Sequence, residues 1–98
     1  MLLTGVTASF CAAHRSPEGV VHGHSYRVTA WFPNEERKDA RCFKAALQAI
    51  LTVWDHKTLP EEMEWGEDIA SAVGTLANCV EVLVERPLEG FHAKWRAA

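Results

Sequence analysis

The sequence has few cysteines, no excess of basic residues and no long apolar run. Its three cysteines, Cys11, Cys42 and Cys79, are an odd number without a Cys-x-x-Cys spacing. This pattern argues against a disulfide framework and against a thiolate zinc site. A formal net charge of −3 leaves no basic stripe, so nucleic acid is not an expected partner.

Signals for membranes and for secretion are missing as well. No apolar run approaches the length of a membrane span, and the N-terminus lacks the charged start and cleavage site of a secretory signal. We therefore expect a cytoplasmic protein without a membrane partner. The 98 residues contain no repeats or linkers, which predicts a single domain over 1–98. A chain this small buries only about 60–65% of its unfolded surface, so oligomerisation would stabilise it.

The apolar pattern predicts an α+β domain with the order strand, strand, helix, helix, strand, strand. Both helices are predicted from apolar residues at helical spacing, with one buried stripe each. The predicted segments are strands at 9–14, 20–32, 80–85 and 91–95, and helices at 39–54 and 67–76. The predicted stripes are Phe43, Leu47, Ile50 and Trp54 in the first helix and Ile69, Val73 and Leu76 in the second.

Three histidines fall where two neighbouring antiparallel strands could direct them to one point. His22 and His24 share one face of the second strand, and His14 lies near the end of the first. Three imidazoles at about 2.0–2.1 Å from one ion, with a fourth position open, are typical of catalytic zinc. The alternative is a surface pair of histidines at a sheet edge.

Four short segments resemble the ordered motifs of the 6-pyruvoyltetrahydropterin synthase family, which includes the bacterial 6-carboxytetrahydropterin synthases of queuosine biosynthesis. The segments run in the family's order and span most of the chain. They are Phe10-Cys11-Ala12-Ala13-His14, His22-Gly23-His24-Ser25-Tyr26, Asp55-His56-Lys57-Thr58-Leu59 and Val82-Leu83-Val84-Glu85.

The resemblance implies a tunnelling fold, with a four-stranded antiparallel sheet and two helices on one side, assembled as a homotrimer or homohexamer. It implies a zinc ion (Zn2+) as cofactor and a small-molecule pterin as substrate. By position in the motifs, the zinc ligands are His14, His22 and His24, the catalytic pair is Asp55 and His56, and the pterin anchor is Glu85.

Glu18 occupies a position where the family has its catalytic cysteine, four residues before the first histidine of His-Gly-His. A carboxylate is more fully ionised than a thiol at neutral pH but is a weaker base. It can still take a proton from a hydroxyl acidified by zinc. Family members with glutamate here are associated with aldol-type cleavage of 7,8-dihydroneopterin triphosphate to 6-hydroxymethyl-7,8-dihydropterin. The alternative is that Glu18 is a solvated turn residue.

The other candidate residues also have structural alternatives. His56 could shuttle a proton while Asp55 holds its tautomer, or it could be a helix C-terminal histidine. Adjacent residues rarely contact each other within a strand, so we expect the working partners of this pair across a subunit interface. Glu85 could accept two pterin hydrogens in a bidentate fork, or it could pair with Arg86. Strand alternation turns Cys11 away from the metal, which favours a packing role.

The sequence departs from the family's pattern at positions that would affect how the triphosphate end of the substrate is held. The residues that usually precede the first helix in the family are absent, and Trp65 stands where a threonine is common. A triphosphate would need cations, and the candidates are Arg15, Lys38 and Lys57. The sequence thus favours a zinc-dependent lyase acting on a dihydropterin triphosphate. A non-catalytic pterin-binding paralogue and a zinc-stabilised assembly module are the alternatives.

Overall fold

Two long strands form the centre of the fold. The computed structural model describes residues 1–15, 19 and 21–98. Strand β1 (Leu3–Arg15) and strand β2 (Val21–Pro33) pair antiparallel over their whole length, from Leu3 opposite Pro33 to Arg15 opposite Val21. In β1 the even-numbered side chains are the more buried ones, so one face of the hairpin faces the core and the other is open.

Three shorter strands complete a five-stranded sheet in the order β3-β1-β2-β4-β5. They are β3 (Lys57–Thr58), β4 (Glu81–Arg86) and β5 (Phe91–Arg96). Strand β3 runs parallel to β1, whereas the other pairs are antiparallel. The expected four-stranded, wholly antiparallel sheet is therefore wrong in this detail. A strand of two residues is too short to show an alternating pattern, which is why the sequence did not predict it.

Helix α1 (Ala40–Thr52) and helix α2 (Gly66–Ala77) are joined through β3 and a short 3-10 helix, Glu61–Met63. The Asp39 side chain caps α1 by accepting the Arg41 backbone N–H at 2.9 Å. No helix among the described residues is long and apolar enough to cross a membrane.

The core lies between the helices and one face of the sheet. Helix α1 packs against β1, and α2 packs against β4 and β5. The expected α+β class is confirmed. The largest fully buried side chains are Val28, Leu47, Ile69, Val73, Val82 and Val84.

Leu76 does not belong to the buried stripe of α2, contrary to the prediction, because its side chain is 63% exposed. The buried side of the helix is set by Ala70, Val73 and Gly74, and Leu76 lies beyond its edge. The Trp95 ring of β5 sits directly on Gly74, where a Cβ would clash with it. The missing side chain at Gly74 therefore lets β5 approach the helix closely.

Candidate functional site

His14 and His24 meet at the loop end of the β1–β2 ladder. His14 pairs in register with His22, and Ala12 pairs with His24, so His14 and His24 are diagonal neighbours on one face. Their Nε2 atoms lie 2.9 Å apart, and the ring centroids are 4.8 Å apart. The structure thus brings these two imidazoles to one point, as strand alternation predicts.

This pair fits a zinc ion. Two nitrogens bound at about 2.0–2.1 Å to one tetrahedral ion lie roughly 3.3 Å apart, so a small opening of the pair admits it. His22, the third predicted ligand, lies in β2, but its side chain is outside the described residues. Among the described side chains, no three from histidine, cysteine, aspartate and glutamate form a metal-binding group. The ligand roles of His14, His22 and His24 stay predictions.

A carboxylate that the sequence did not predict contacts the other ring nitrogen of His24. Glu89 Oε1 lies 3.1 Å from His24 Nδ1 and accepts from Arg86 Nη2 at 3.3 Å. Partial desolvation acts to raise the pKa of Glu89, but the hydrogen bonds from Arg86 and His24 outweigh it, so the pKa lies below its ordinary value. Glu89 is separated from His24 by 65 positions, and nothing in the sequence pattern indicates this contact.

Asp55 and His56 are fixed to the backbone of Cys11 in β1. Asp55 Oδ1 accepts the Cys11 N–H at 2.9 Å, and the His56 N–H donates to the Cys11 carbonyl at 2.6 Å. The pKa of Asp55 is lowered, chiefly by the hydrogen bond from the Cys11 N–H. Both candidate catalytic residues are therefore held against the edge of the sheet.

The carboxylate of Asp55 also contacts the ring of His56, with Oδ2 lying 3.1 Å from Nδ1. The expectation that these adjacent residues need partners from another subunit is wrong for this contact. They lie in a turn after α1, not in a strand, and His56 adopts a left-handed conformation with φ 59°. That conformation costs a non-glycine residue of order 1–2 kcal/mol.

One open cavity of about 480 Å³ links the two groups. Its wall includes His24 and Glu89 on one side and His56 on the other, with Lys57 and Thr58 of β3 beside them. The described lining residues therefore include His24 of the predicted metal set and His56 of the predicted proton shuttle, and they do not include His14. The lining residues are Cys11, Ala12, Ala13, Gly23, His24, Ser25, His56, Lys57, Thr58, Leu88 and Glu89.

Cys11 lies on the open face of the sheet, opposite the core face that holds His14, as strand alternation predicts. It is exposed, so the expected packing role is wrong. The Cys11 thiol lies 3.6 Å from the Ser25 hydroxyl and lines the cavity. At Gly23, between the two histidines of β2, no atom of the described residues lies within 4 Å of the position of a Cβ.

Glu85 points to the open face of β4, away from the buried Val82 and Val84. Its partner is Arg27 of β2, and not Arg86, which was the expected alternative. Arg27 donates to both carboxylate oxygens, from Nε at 3.1 Å and from Nη2 at 3.0 Å. The hydrogen bond from Arg27 is the main reason that the pKa of Glu85 is lowered. The carboxylate is therefore ionised and already oriented for a planar, bidentate partner.

The remaining predicted residues fall into three cases. Glu18 lies outside the described residues. Lys57 lines the cavity. Arg15 is the last residue of β1, at the same end of the strand as His14. Lys38 is wrong as a candidate within one chain because it lies at the far end of the ladder, roughly 36 Å from His14 along β1. Its backbone N–H donates there to Asn34 Oδ1 at 2.7 Å.

Comparisons with known proteins agree with this geometry. A family model described as 6-pyruvoyl tetrahydropterin synthase matches residues 4–94. The structure is similar to that of Caenorhabditis elegans 6-pyruvoyl tetrahydropterin synthase, with a TM-score of 0.74 and 17% identity, over 99% of this chain and 96% of that chain. At this identity the second comparison shows a shared fold. No match to a curated protein sequence was found.

Proposed function

Since this chain belongs to the 6-pyruvoyl tetrahydropterin synthase family, we propose that it is a zinc-dependent lyase acting on the side chain of 7,8-dihydroneopterin triphosphate. The observation that supports this most strongly is the shared cavity. It is lined by His24, whose ring meets that of His14, and by His56, whose ring contacts Asp55. One proposed zinc ligand and a proposed proton shuttle at the same cavity support side-chain cleavage of a polyol.

His14, His22 and His24 would hold the zinc ion. When bound, zinc acidifies a hydroxyl of the substrate side chain and so makes its proton easier to remove.

His56 would move a proton at the cavity wall. A neutral imidazole has one donor and one acceptor nitrogen. Asp55 Oδ2 accepts a hydrogen bond from His56 Nδ1, which assigns the ring proton to Nδ1. The Nε2 atom is then left to take up or return a proton. The ring is 80% exposed, so it can reach a substrate, while its backbone is tied to Cys11.

Glu18 would be the base that takes the first proton. A carboxylate in place of the family's thiol favours aldol-type cleavage to 6-hydroxymethyl-7,8-dihydropterin. Glu85 would anchor the pterin ring, since an ionised carboxylate accepts both a ring N–H and an exocyclic N–H. Arg27 would have to release at least one of its two hydrogen bonds as the ring binds.

The second candidate function is a non-catalytic pterin-binding protein, favoured by the glutamate at position 18 in place of the family's cysteine. It would keep the ring anchor at Glu85 and lose turnover.

The experiment is to incubate zinc-loaded protein with 7,8-dihydroneopterin triphosphate and to identify the product by mass, with the His14→Ala/His24→Ala double variant as the control. The proposal expects 6-hydroxymethyl-7,8-dihydropterin from the wild type only. If the product is a carboxy or pyruvoyl pterin, the protein is still a lyase, but it breaks a different bond of the side chain. Tight binding of a dihydropterin without any product would favour the non-catalytic alternative.

A further inference from the structure

We propose that Glu89 is a positioning residue of the metal centre, which holds His24 in the one neutral tautomer that can bind a metal through Nε2. The inference rests on the proposed zinc site at His14, His22 and His24. It adds the turn between β4 and β5 to that site, a segment that lies outside the four motifs shared with the family.

The tautomer follows from the chemistry of the two partners. An ionised carboxylate only accepts hydrogen bonds, so the contact between Glu89 Oε1 and His24 Nδ1 at 3.1 Å requires the proton to be on Nδ1. The Nε2 atom of a neutral His24 then carries a lone pair. That atom faces His14 at 2.9 Å, so the lone pair points to the place where the two imidazoles converge.

Glu89 is itself held in place by its surroundings. Arg86 donates to the same oxygen, Oε1, at 3.3 Å, and the Arg86 guanidinium lies 5.4 Å from the centre of the Phe91 ring. The backbone N–H groups of Glu89 and Gly90 both donate to the Arg86 carbonyl, at 3.1 and 3.0 Å. Gly90 closes this turn with φ 74°, a conformation that favours glycine. The turn therefore presents the carboxylate to His24 in a defined position.

The two histidines consequently play unequal roles before a metal binds. Since His24 Nε2 is an acceptor, His14 must donate its Nε2 proton to it across the 2.9 Å contact. His24 is thus ready to bind, whereas His14 must move its proton to the other ring nitrogen. Glu89 is the group that sets this order.

A purely structural role for Glu89 predicts something different. In that case its contact with His24 only ties the turn to β2, and its loss would lower the stability of the fold without changing the tautomer of His24 or the affinity for zinc. Glu81 provides a matched control. It lies at the other end of the β4–β5 hairpin and pairs with Arg96 at 2.6 Å and with Lys94 at 3.7 Å.

The first measurement is the affinity for zinc alone, by competition with a chelator of known affinity, on the whole chain. Glu89→Ala should bind zinc about 10- to 100-fold more weakly than the wild type, the usual effect of losing such a partner. Glu89→Asp, which keeps a carboxylate, should recover part of the loss. Glu81→Ala should bind zinc as the wild type does.

The second measurement is the tautomer of His24 in zinc-free protein, from the nitrogen chemical shifts and long-range proton couplings of its imidazole in NMR spectra. The wild type and Glu81→Ala should carry the proton on Nδ1, and Glu89→Ala should shift it toward Nε2. An unchanged tautomer together with unchanged zinc affinity in Glu89→Ala overturns the inference alone. A wild-type protein that binds no zinc overturns the proposed metal site and this inference with it.

Discussion

Arg27 and Glu85 face each other across β2 and β4, and the guanidinium donates to both carboxylate oxygens, at 3.1 and 3.0 Å. The pair lies on the open face of the sheet, where its side chains are 48% and 24% exposed. An exposed pair of this kind adds little to stability. Its main consequence is that Glu85 is ionised and that both of its oxygens accept from Arg27, so a pterin would have to replace at least one of these hydrogen bonds.

We expect Glu85→Gln to weaken pterin binding roughly 30- to 150-fold, which corresponds to losing hydrogen bonds to a charged acceptor. The glutamine presents an N–H donor where the pterin also presents one. Equilibrium titration with a dihydropterin measures the effect, and the zinc content should not change. Glu81→Gln, on the same face of the same strand, is the control. An unchanged Kd in Glu85→Gln would remove Glu85 from the ring-binding site.

The protein should bind about one zinc ion per chain. Elemental analysis of protein purified without chelator measures this directly. Replacing His22 and His24 with alanine should abolish the bound zinc, because two of the three proposed ligands are gone. The control is His92→Ala, since His92 is an exposed histidine of β5 outside the cavity. Full zinc occupancy in the double variant would contradict the assignment of these ligands.

Glu18→Gln should leave zinc and pterin binding intact and slow turnover roughly 10²- to 10⁴-fold, the usual contribution of a positioned general base. Product formation in single-turnover assays provides the rate. Glu62→Gln, an exposed carboxylate of the short 3-10 helix, should not change it. If the wild type is active and Glu18→Gln is equally fast, the proton goes to another group, and His56→Gln is the next variant to assay.

The chain should assemble as a trimer or hexamer. Large apolar side chains are exposed near both ends of the sheet, among them Leu3, Val21 and Phe91, which are 45%, 49% and 62% exposed, and so small a chain gains stability by covering them. Light scattering at micromolar concentration tests this. A well-folded monomer under those conditions would contradict the expected assembly.

Local patterns in the sequence were enough to predict the parts of the fold and site that depend on strand alternation. The alternation of β1 and β2 placed His14 and His24 on one face, and that of β4 placed Glu85 opposite Val82 and Val84. These predictions succeed because the period of a strand is fixed by its backbone.

The features that the sequence did not predict depend on contacts between distant residues or on a single backbone angle. The contact of Glu89 with His24 joins a turn to a strand across 65 positions. The contact of Asp55 with His56 accompanies one left-handed residue, and β3 is only two residues long. The prediction that Leu76 is buried was wrong. The position of Trp95 over Gly74, rather than the helical period alone, decides which side of α2 is buried.

The dependence of turnover on zinc tests the central claim most directly. Protein stripped with a chelator, and the same protein after addition of one equivalent of zinc per chain, are assayed with 7,8-dihydroneopterin triphosphate, and the pterin products are quantified by mass. The account predicts no turnover in the stripped protein and recovery that saturates at about one zinc per chain. Undiminished turnover in zinc-free protein, or no product from fully zinc-loaded wild type, would contradict it.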